Sequence, residues 1–263
     1  MRLWLVRCEF NSRLLPYFRF SQRMMKEAKM KKYKTIGILG GMGPAATADL
    51  YNGIISIFQK KFNAKYDKDF PEIAIISLPI PDIVEDLENE KLTLEMLIDA
   101  ATRLELVGCD FIAIPCNSAH VYIDEIRKSV KINVISIIEE VAKFCKSQNM
   151  ANVGLLATEF TRMNRLYDNA ICQLDMSIIN LGDEQQLILT KLIISILSGE
   201  INQSNKDKLW SLINYLKDRK ADAIILGCTE LPLLIGREYY YIQLIDTTHI
   251  LAESCVRAAT KVI

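Results

Sequence analysis

Apolar residues in this chain fall into two kinds of run, and their alternation predicts the fold. Short, unbroken apolar stretches occur at Thr35-Ile-Gly-Ile-Leu-Gly-Gly41, Ile73 to Leu78, Cys109-Asp-Phe-Ile-Ala-Ile-Pro-Cys116, Ile132-Asn-Val-Ile-Ser136, Asn152-Val-Gly-Leu-Leu-Ala-Thr158, Ala221-Asp-Ala-Ile-Ile-Leu-Gly-Cys228 and Ile242-Gln-Leu-Ile-Asp246. A run with little polar alternation is the pattern of a strand covered on both faces, as in a parallel sheet. Between these runs, residues 91 to 107, 138 to 148, 184 to 198, 206 to 219 and 248 to 262 carry apolar residues at three- and four-residue spacing, which predicts helices. Gly108 and Gly199 stand just after two of them, where a left-handed helix end favours glycine. Strand and helix alternate throughout, so the fold class is α/β.

The strand-like runs repeat. Residues 35–41 match 152–158, 109–116 match 221–228 and 132–136 match 242–246, in the same order and at nearly constant offset. Three matches in register imply two copies of one unit. The expected architecture is two pseudo-symmetric domains, each a mostly parallel sheet flanked by helices, with the active site in the cleft between them. Residues 34–132 with the final helix, 247–263, form the first domain and 133–246 the second, and Lys146 to Asn152 supplies a polar joint.

Composition changes this picture little. The chain has 263 residues, half of them apolar, and 32 basic residues balance 32 acidic ones, which gives no electrostatic case for a nucleic-acid partner. Residues 1–33 differ, with nine Lys/Arg against only Glu9 and Glu27. They read as an extension outside the folded body, with Met24 or Met30 as a natural start. Glu9 and the scattered apolar residues speak against a targeting peptide or a membrane-lying helix. No apolar run is long enough to span a membrane. Seven cysteines without a CxxC pair, and two histidines without metal-type spacing, point to reduced thiols in the cytoplasm and to no metal.

Two of those cysteines are placed differently from the rest. Cys116 and Cys228 each end the same strand of the two copies, and ligands of parallel sheets bind beyond the carboxyl ends of strands. Facing copies would bring the two thiols to opposite walls of one cleft. That arrangement suits inversion at carbon, where one group removes a proton from one face and another returns a proton to the other face. A helix from 117 to 128, with Ser118 as its N-cap, would lower the thiol pKa and offer backbone amides to a substrate carboxylate. His120 is expected to orient the local loop rather than to bind metal.

Gly41-Met-Gly43-Pro-Ala-Ala46 formally matches a dinucleotide fingerprint, but no acid ends the following strand, so the loop is expected to form an anion-receptive wall of the same cleft, with Pro44 at the first turn of a helix. A small dicarboxylate isomerase or decarboxylase, and a carboxylate-binding protein without catalysis, remain alternatives on the same fold.

Three motifs in order, Gly40-Gly-Met-Gly-Pro-Ala-Ala-Thr47, Pro115-Cys-Asn-Ser-Ala-His120 and Gly227-Cys-Thr-Glu-Leu231, closely resemble the aspartate/glutamate racemase family from about Lys34 onward. The resemblance implies an amino-acid racemase with no cofactor, pyridoxal phosphate and metal included, an amino-acid substrate and a homodimer. By the same resemblance Cys116 and Cys228 are the catalytic thiols, and Met42, Asn117, Ser118 and Thr229 hold the substrate carboxylate. Aspartate-specific members carry an arginine and a lysine at positions that fall here on Ile83 and Leu197. An acidic side chain would thus lack its usual partners unless Arg162, Arg165 or Lys191 substitutes, and the expected specificity is broad or leans to less acidic side chains rather than being set for aspartate.

Overall fold

The computed structural model describes residues 32–81, 89–235 and 242–261. The first half runs β1 (Ile36–Gly40), α1 (Pro44–Phe62), β2 (Ile73–Ser77), α2 (Glu90–Leu106), β3 (Phe111–Ala113), α3 (Ile123–Ser129), β4 (Asn133–Ile135) and α4 (Ile137–Ser147). The second runs β5 (Asn152–Ala157), α5 (Glu159–Met163), α6 (Leu166–Cys172), β6 (Ser177–Ile179), α7 (Asp183–Leu197), α8 (Gln203–Asp218), β7 (Ala223–Gly227), α9 (Leu231–Ile235), β8 (Gln243–Asp246) and α10 (Thr247–Thr260).

The strands form two four-stranded sheets, ordered β2-β1-β3-β4 and β6-β5-β7-β8, with every pairing parallel. The two orders are the same order, so the three repeated segments occupy equivalent places. The equivalence extends to single side chains. Asp110, before β3, accepts the amide of Thr35 at 2.6 Å, and Asp222, before β7, accepts those of Ala151 and Asn152 at 2.8 Å. Ser136 caps α4 through the amide of Glu139, and Asp246 caps α10 through that of His249. β4 pairs with β3, so Asn133–Ile135 lies in the first sheet, on the far side of the 132/133 boundary drawn from the sequence.

Both faces of the central strands β1, β3, β5 and β7 are covered, which accounts for their apolar runs. Successive residues of a strand point to opposite faces. Ile36 and Ile38 of β1 and Val153 and Leu155 of β5 thus enter one central core with α1, α4, α6 and α10. Leu39 and Ile112 face outward to α2 and α3, and Leu156, Ile224 and Leu226 face outward to α7 and α8. Each fully buried side chain of this size contributes about 1.5–3 kcal/mol. The central core reaches from one sheet to the other, and α10 returns from β8 to pack on α1 and α4. Tyr33, assigned to the leader on sequence, packs its ring 4.9 Å from that of Phe58.

Gly108 and Gly199 follow α2 and α7 with φ of +91° and +83°, the left-handed ends expected of them. Pro44 opens α1. No described helix is long and apolar enough to cross a membrane.

Candidate active site between the two sheets

The carboxyl ends of β1, β3, β5 and β7 converge on one cavity of ≈ 250 Å³. Cys116, Asn117 and Ser118 enter it from the loop after β3, and Gly227, Cys228, Thr229 and Glu230 from the matching loop after β7. Gly41, Met42, Gly43 and Pro44 come from the turn after β1, and Thr158 from the end of β5. All six residues singled out on sequence therefore line a single cavity: Cys116, Cys228, Met42, Asn117, Ser118 and Thr229. Ile80, Pro81, Ile193 and Leu197 complete its walls.

The turn after β1 is built by Thr47. Its hydroxyl accepts the amide of Gly41 at 2.9 Å and donates to the carbonyl of Gly43 at 3.1 Å. Gly41 has φ +102°, and a Cβ there would stand 2.3 Å from the backbone nitrogen and oxygen of Leu78, so only glycine fits.

The loop after β3 is held by His120. Its Nδ1 donates to the carbonyl of Cys116 at 2.8 Å and its Nε2 accepts the amide of Ile137 at 3.1 Å. Accepting at Nε2 fixes the neutral tautomer, and complete burial lowers the ring pKa to about 4. His120 orients the loop, and no group of three His, Cys, Asp or Glu suited to a metal ion occurs among the described residues.

Ser118 does not cap a helix. The chain after Cys116 first forms a tight 3-10 turn over Ser118–Tyr122, and the α-helix begins only at Ile123. The Ser118 hydroxyl instead lies 3.0 Å from both Thr158 Oγ1 and Thr161 Oγ1, joining the two halves through buried hydroxyls. Asn117 makes a second cross-link: its Oδ1 accepts Tyr167 Oη at 2.6 Å, and its Nδ2 donates to Thr247 Oγ1 at 3.3 Å.

Burial raises the thiol pKa of Cys228 well above the ordinary range, and Glu230 and Cys116 raise it further. Its Sγ donates to Glu230 Oε2 at 3.0 Å, and the helix that follows has only five residues. The six described cysteines, Cys109, Cys116, Cys145, Cys172, Cys228 and Cys255, form no disulfide.

Glu230 is the one charged side chain among the described residues of the lining. Leu197 stands in the wall, and Ile83 lies outside the described residues. Arg162 is paired with Glu159 at 2.6 Å, and neither it nor Arg165 nor Lys191 lines the cavity. Sequence reasoning missed Thr158 and Glu230 as lining residues. Both signals were present, since Thr158 takes the place of Gly41 in the repeat and Glu230 stands in the Gly-Cys-Thr-Glu motif.

Duplicated halves, each a parallel four-stranded sheet, enclosing one polar cavity at their strand ends define a two-lobed α/β protein of the amino-acid racemase class. The family model described as Asp/Glu/Hydantoin racemase matches residues 39–255, and the chain belongs to that family. It is 31% identical to the broad specificity amino-acid racemase RacX of Bacillus subtilis over 221 residues, 84% of this chain and 96% of that protein. The solved structure of an aspartate racemase homologue from Pyrococcus horikoshii OT3 superposes with a TM-score of 0.74 at 29% identity, covering 87% of this chain and 100% of the other. The aspartate racemase of Picrophilus torridus gives 0.74 at 28%, over 86% and 94%.

Proposed function

We propose that this protein is a cofactor-independent amino-acid racemase that inverts the α-carbon with Cys116 and Cys228 as acid and base, and that it acts on amino acids with uncharged side chains. The observation that carries the reading is the position of the two thiols, at the ends of equivalent strands of a duplicated fold and in the wall of the same cavity. One sulfur, as thiolate, takes the α-proton. The other, as thiol, delivers its proton to the opposite face, and the roles exchange for the other enantiomer. Met42, Asn117, Ser118 and Thr229 hold the α-carboxylate, and Thr158 joins them through its contact with Ser118.

The side-chain preference follows from charge. Among the described residues the lining offers no cation, and it carries the carboxylate of Glu230. A second carboxylate brought into the cavity would be desolvated beside a like charge. Ile80, Pro81, Ile193 and Leu197 suit an apolar or neutral side chain instead. The Bacillus subtilis relative is a broad specificity amino-acid racemase, in keeping with such a pocket.

The test is a panel of L- and D-amino acids incubated with purified protein in deuterated water without cofactor, read by chiral chromatography and by mass for α-deuterium. Racemisation and exchange of neutral amino acids, both lost in Cys116→Ala and in Cys228→Ala, are the expected result. Binding without exchange across the panel, or full activity in either variant, overturns the reading.

A further inference from the structure

Thr247 is completely buried and does not line the cavity, yet it stands between the two loops that carry the thiols. Its hydroxyl donates to the carbonyl of Leu226 at 3.0 Å, two residues before Cys228. The same oxygen accepts Asn117 Nδ2 at 3.3 Å, one residue after Cys116. A hydroxyl has one hydrogen, and this one is given to Leu226, so toward Asn117 the oxygen can only accept. That orients the Asn117 amide. Its nitrogen faces Thr247, its oxygen accepts Tyr167 Oη at 2.6 Å, and the second N–H of Nδ2 is what Asn117 has left to offer a ligand in the cavity. Asn117, Leu226 and Tyr167 are buried as well, which keeps competing water from these bonds.

The repeat shows why a side chain does this work here. Thr247 opens α10 next to the capping Asp246, as Ile137 opens α4 next to the capping Ser136. In the first half His120 clamps the loop after β3 by linking the Cys116 carbonyl to the Ile137 amide. The position four residues after Cys228, equivalent to His120, is Pro232, which has no hydrogen-bonding side chain. The second half thus lacks the imidazole clamp. In its place it carries, at the position equivalent to the apolar Ile137, a hydroxyl that reaches both thiol-bearing loops.

We propose that Thr247 is a positioning residue for the two-thiol reaction: its hydroxyl fixes the spacing of the Cys116 and Cys228 loops and presents the Asn117 amide to the substrate carboxylate. The catalytic consequence rests on the racemase reading. Inversion needs both sulfurs in reach of one carbon at the same moment, one to take a proton and the other to return one. Without the bridge the two loops shift independently. Deprotonation by the nearer thiol then continues, while delivery from the opposite face fails more often.

The test compares Thr247→Val, which keeps the shape and removes the hydroxyl, with Thr247→Ser, which keeps the hydroxyl. Each is incubated in deuterated water with one enantiomer of a neutral amino acid, and α-deuterium is measured separately in recovered substrate and in inverted product. In Thr247→Val kcat is expected to fall about 10- to 100-fold, KM to rise by a smaller factor, and the ratio of deuterium in substrate to that in product to rise at least about threefold. Thr247→Ser is expected to keep the wild-type ratio. Unfolding of a fraction of the molecules lowers both signals together and leaves the ratio unmoved.

A second readout needs no turnover. Native protein is alkylated with iodoacetamide and mapped by peptide mass. Cys116 and Cys228 are both expected to react faster in Thr247→Val than in wild type or Thr247→Ser, while Cys145 and Cys255 of the central core keep the wild-type rate. Thr247→Ala replaces a valine variant that does not fold. A wild-type deuterium ratio in the folded variant, or unchanged alkylation at either cavity cysteine, overturns the proposal. So does failure of both Thr247→Val and Thr247→Ala to fold, since Thr247 would then hold the fold rather than the site. The expected alkylation pattern in a protein that racemises no amino acid would count against the racemase reading and leave the bridge standing.

Discussion

His120 Nδ1 lies 2.8 Å from the carbonyl oxygen of Cys116, and the opposite ring nitrogen receives the amide of Ile137, the first residue of α4. One neutral ring thus ties the backbone of the cavity cysteine to a helix of the central core. The residues that face the ring with charge are Arg127 and Glu139, themselves paired at 2.7 Å.

Stability is therefore expected to depend on pH through His120. Its pKa falls from 6.5 when exposed to about 4 in the fold, so between those values the unfolded chain binds the extra proton. The contribution is complete above about pH 6.5 and is lost as the pH drops to about 4, on the order of 3 kcal/mol in all. Chemical denaturation of wild type and His120→Gln at a series of pH values checks this. The variant is expected to be less stable at pH 7 and to show a shallower decline over the same interval.

Tyr167→Phe removes the donor to Asn117 Oδ1 and leaves a buried acceptor unsatisfied. A cost of about 1–3 kcal/mol in folding is expected. If Asn117 grips the substrate carboxylate, its freed amide should also raise KM several-fold with a smaller change in kcat. Steady-state kinetics on a neutral amino acid, alongside a melting curve, separate the two effects.

Leu197→Lys places a cation in the cavity wall at a site 47% exposed, where the ammonium stays partly hydrated. Stability is expected to change by less than about 0.5 kcal/mol, and kcat/KM for aspartate to rise about tenfold relative to neutral substrates. Chiral chromatography of competing substrates measures the ratio.

Two glycines with positive φ should respond very differently to alanine. At Gly41 the added methyl meets Leu78 backbone at 2.3 Å, whereas at Gly108 nothing lies within 4 Å. Gly108→Ala is expected to cost about 1 kcal/mol, from its left-handed backbone alone. Gly41→Ala should cost more than about 3 kcal/mol and displace the turn that lines the cavity. Parallel denaturation curves decide it.

Most of the architecture was legible in the chain because burial on both faces leaves an unmistakable mark. Ile36 to Gly40, Val153 to Ala157 and Ala223 to Gly227 carry no polar side chain, and a segment of that length has few other places to go. The repeat then gave the equivalence of Cys116 and Cys228 without reference to any other protein. What was not legible depends on contacts between distant residues. Ser118 reads as a helix cap by type, but Thr158 and Thr161, forty residues on, claim its hydroxyl. Glu230 stands two residues after Cys228 in the chain, but that its side chain turns back to accept the thiol is not written there. The strand at Asn133–Ile135 was assigned to the wrong side of a boundary because pairing partners, unlike apolar runs, are not written locally.

The packing of α10 has a bearing on how the molecule comes into being. This helix follows both sheets in chain order, yet Leu251, Ala252 and Cys255 close over Ile54 and Phe58 of the first half. Gly53 lets the backbones approach so closely that a methyl there would come within 3.1 Å of Ala252. During synthesis, then, the earliest-made sheet emerges with one greasy flank unsealed. It stays so until α10, which begins 112 residues after the end of β4 (247 − 135), has been added. Nascent chains are accordingly expected to keep this apolar surface of the first half uncovered until α10 has been made.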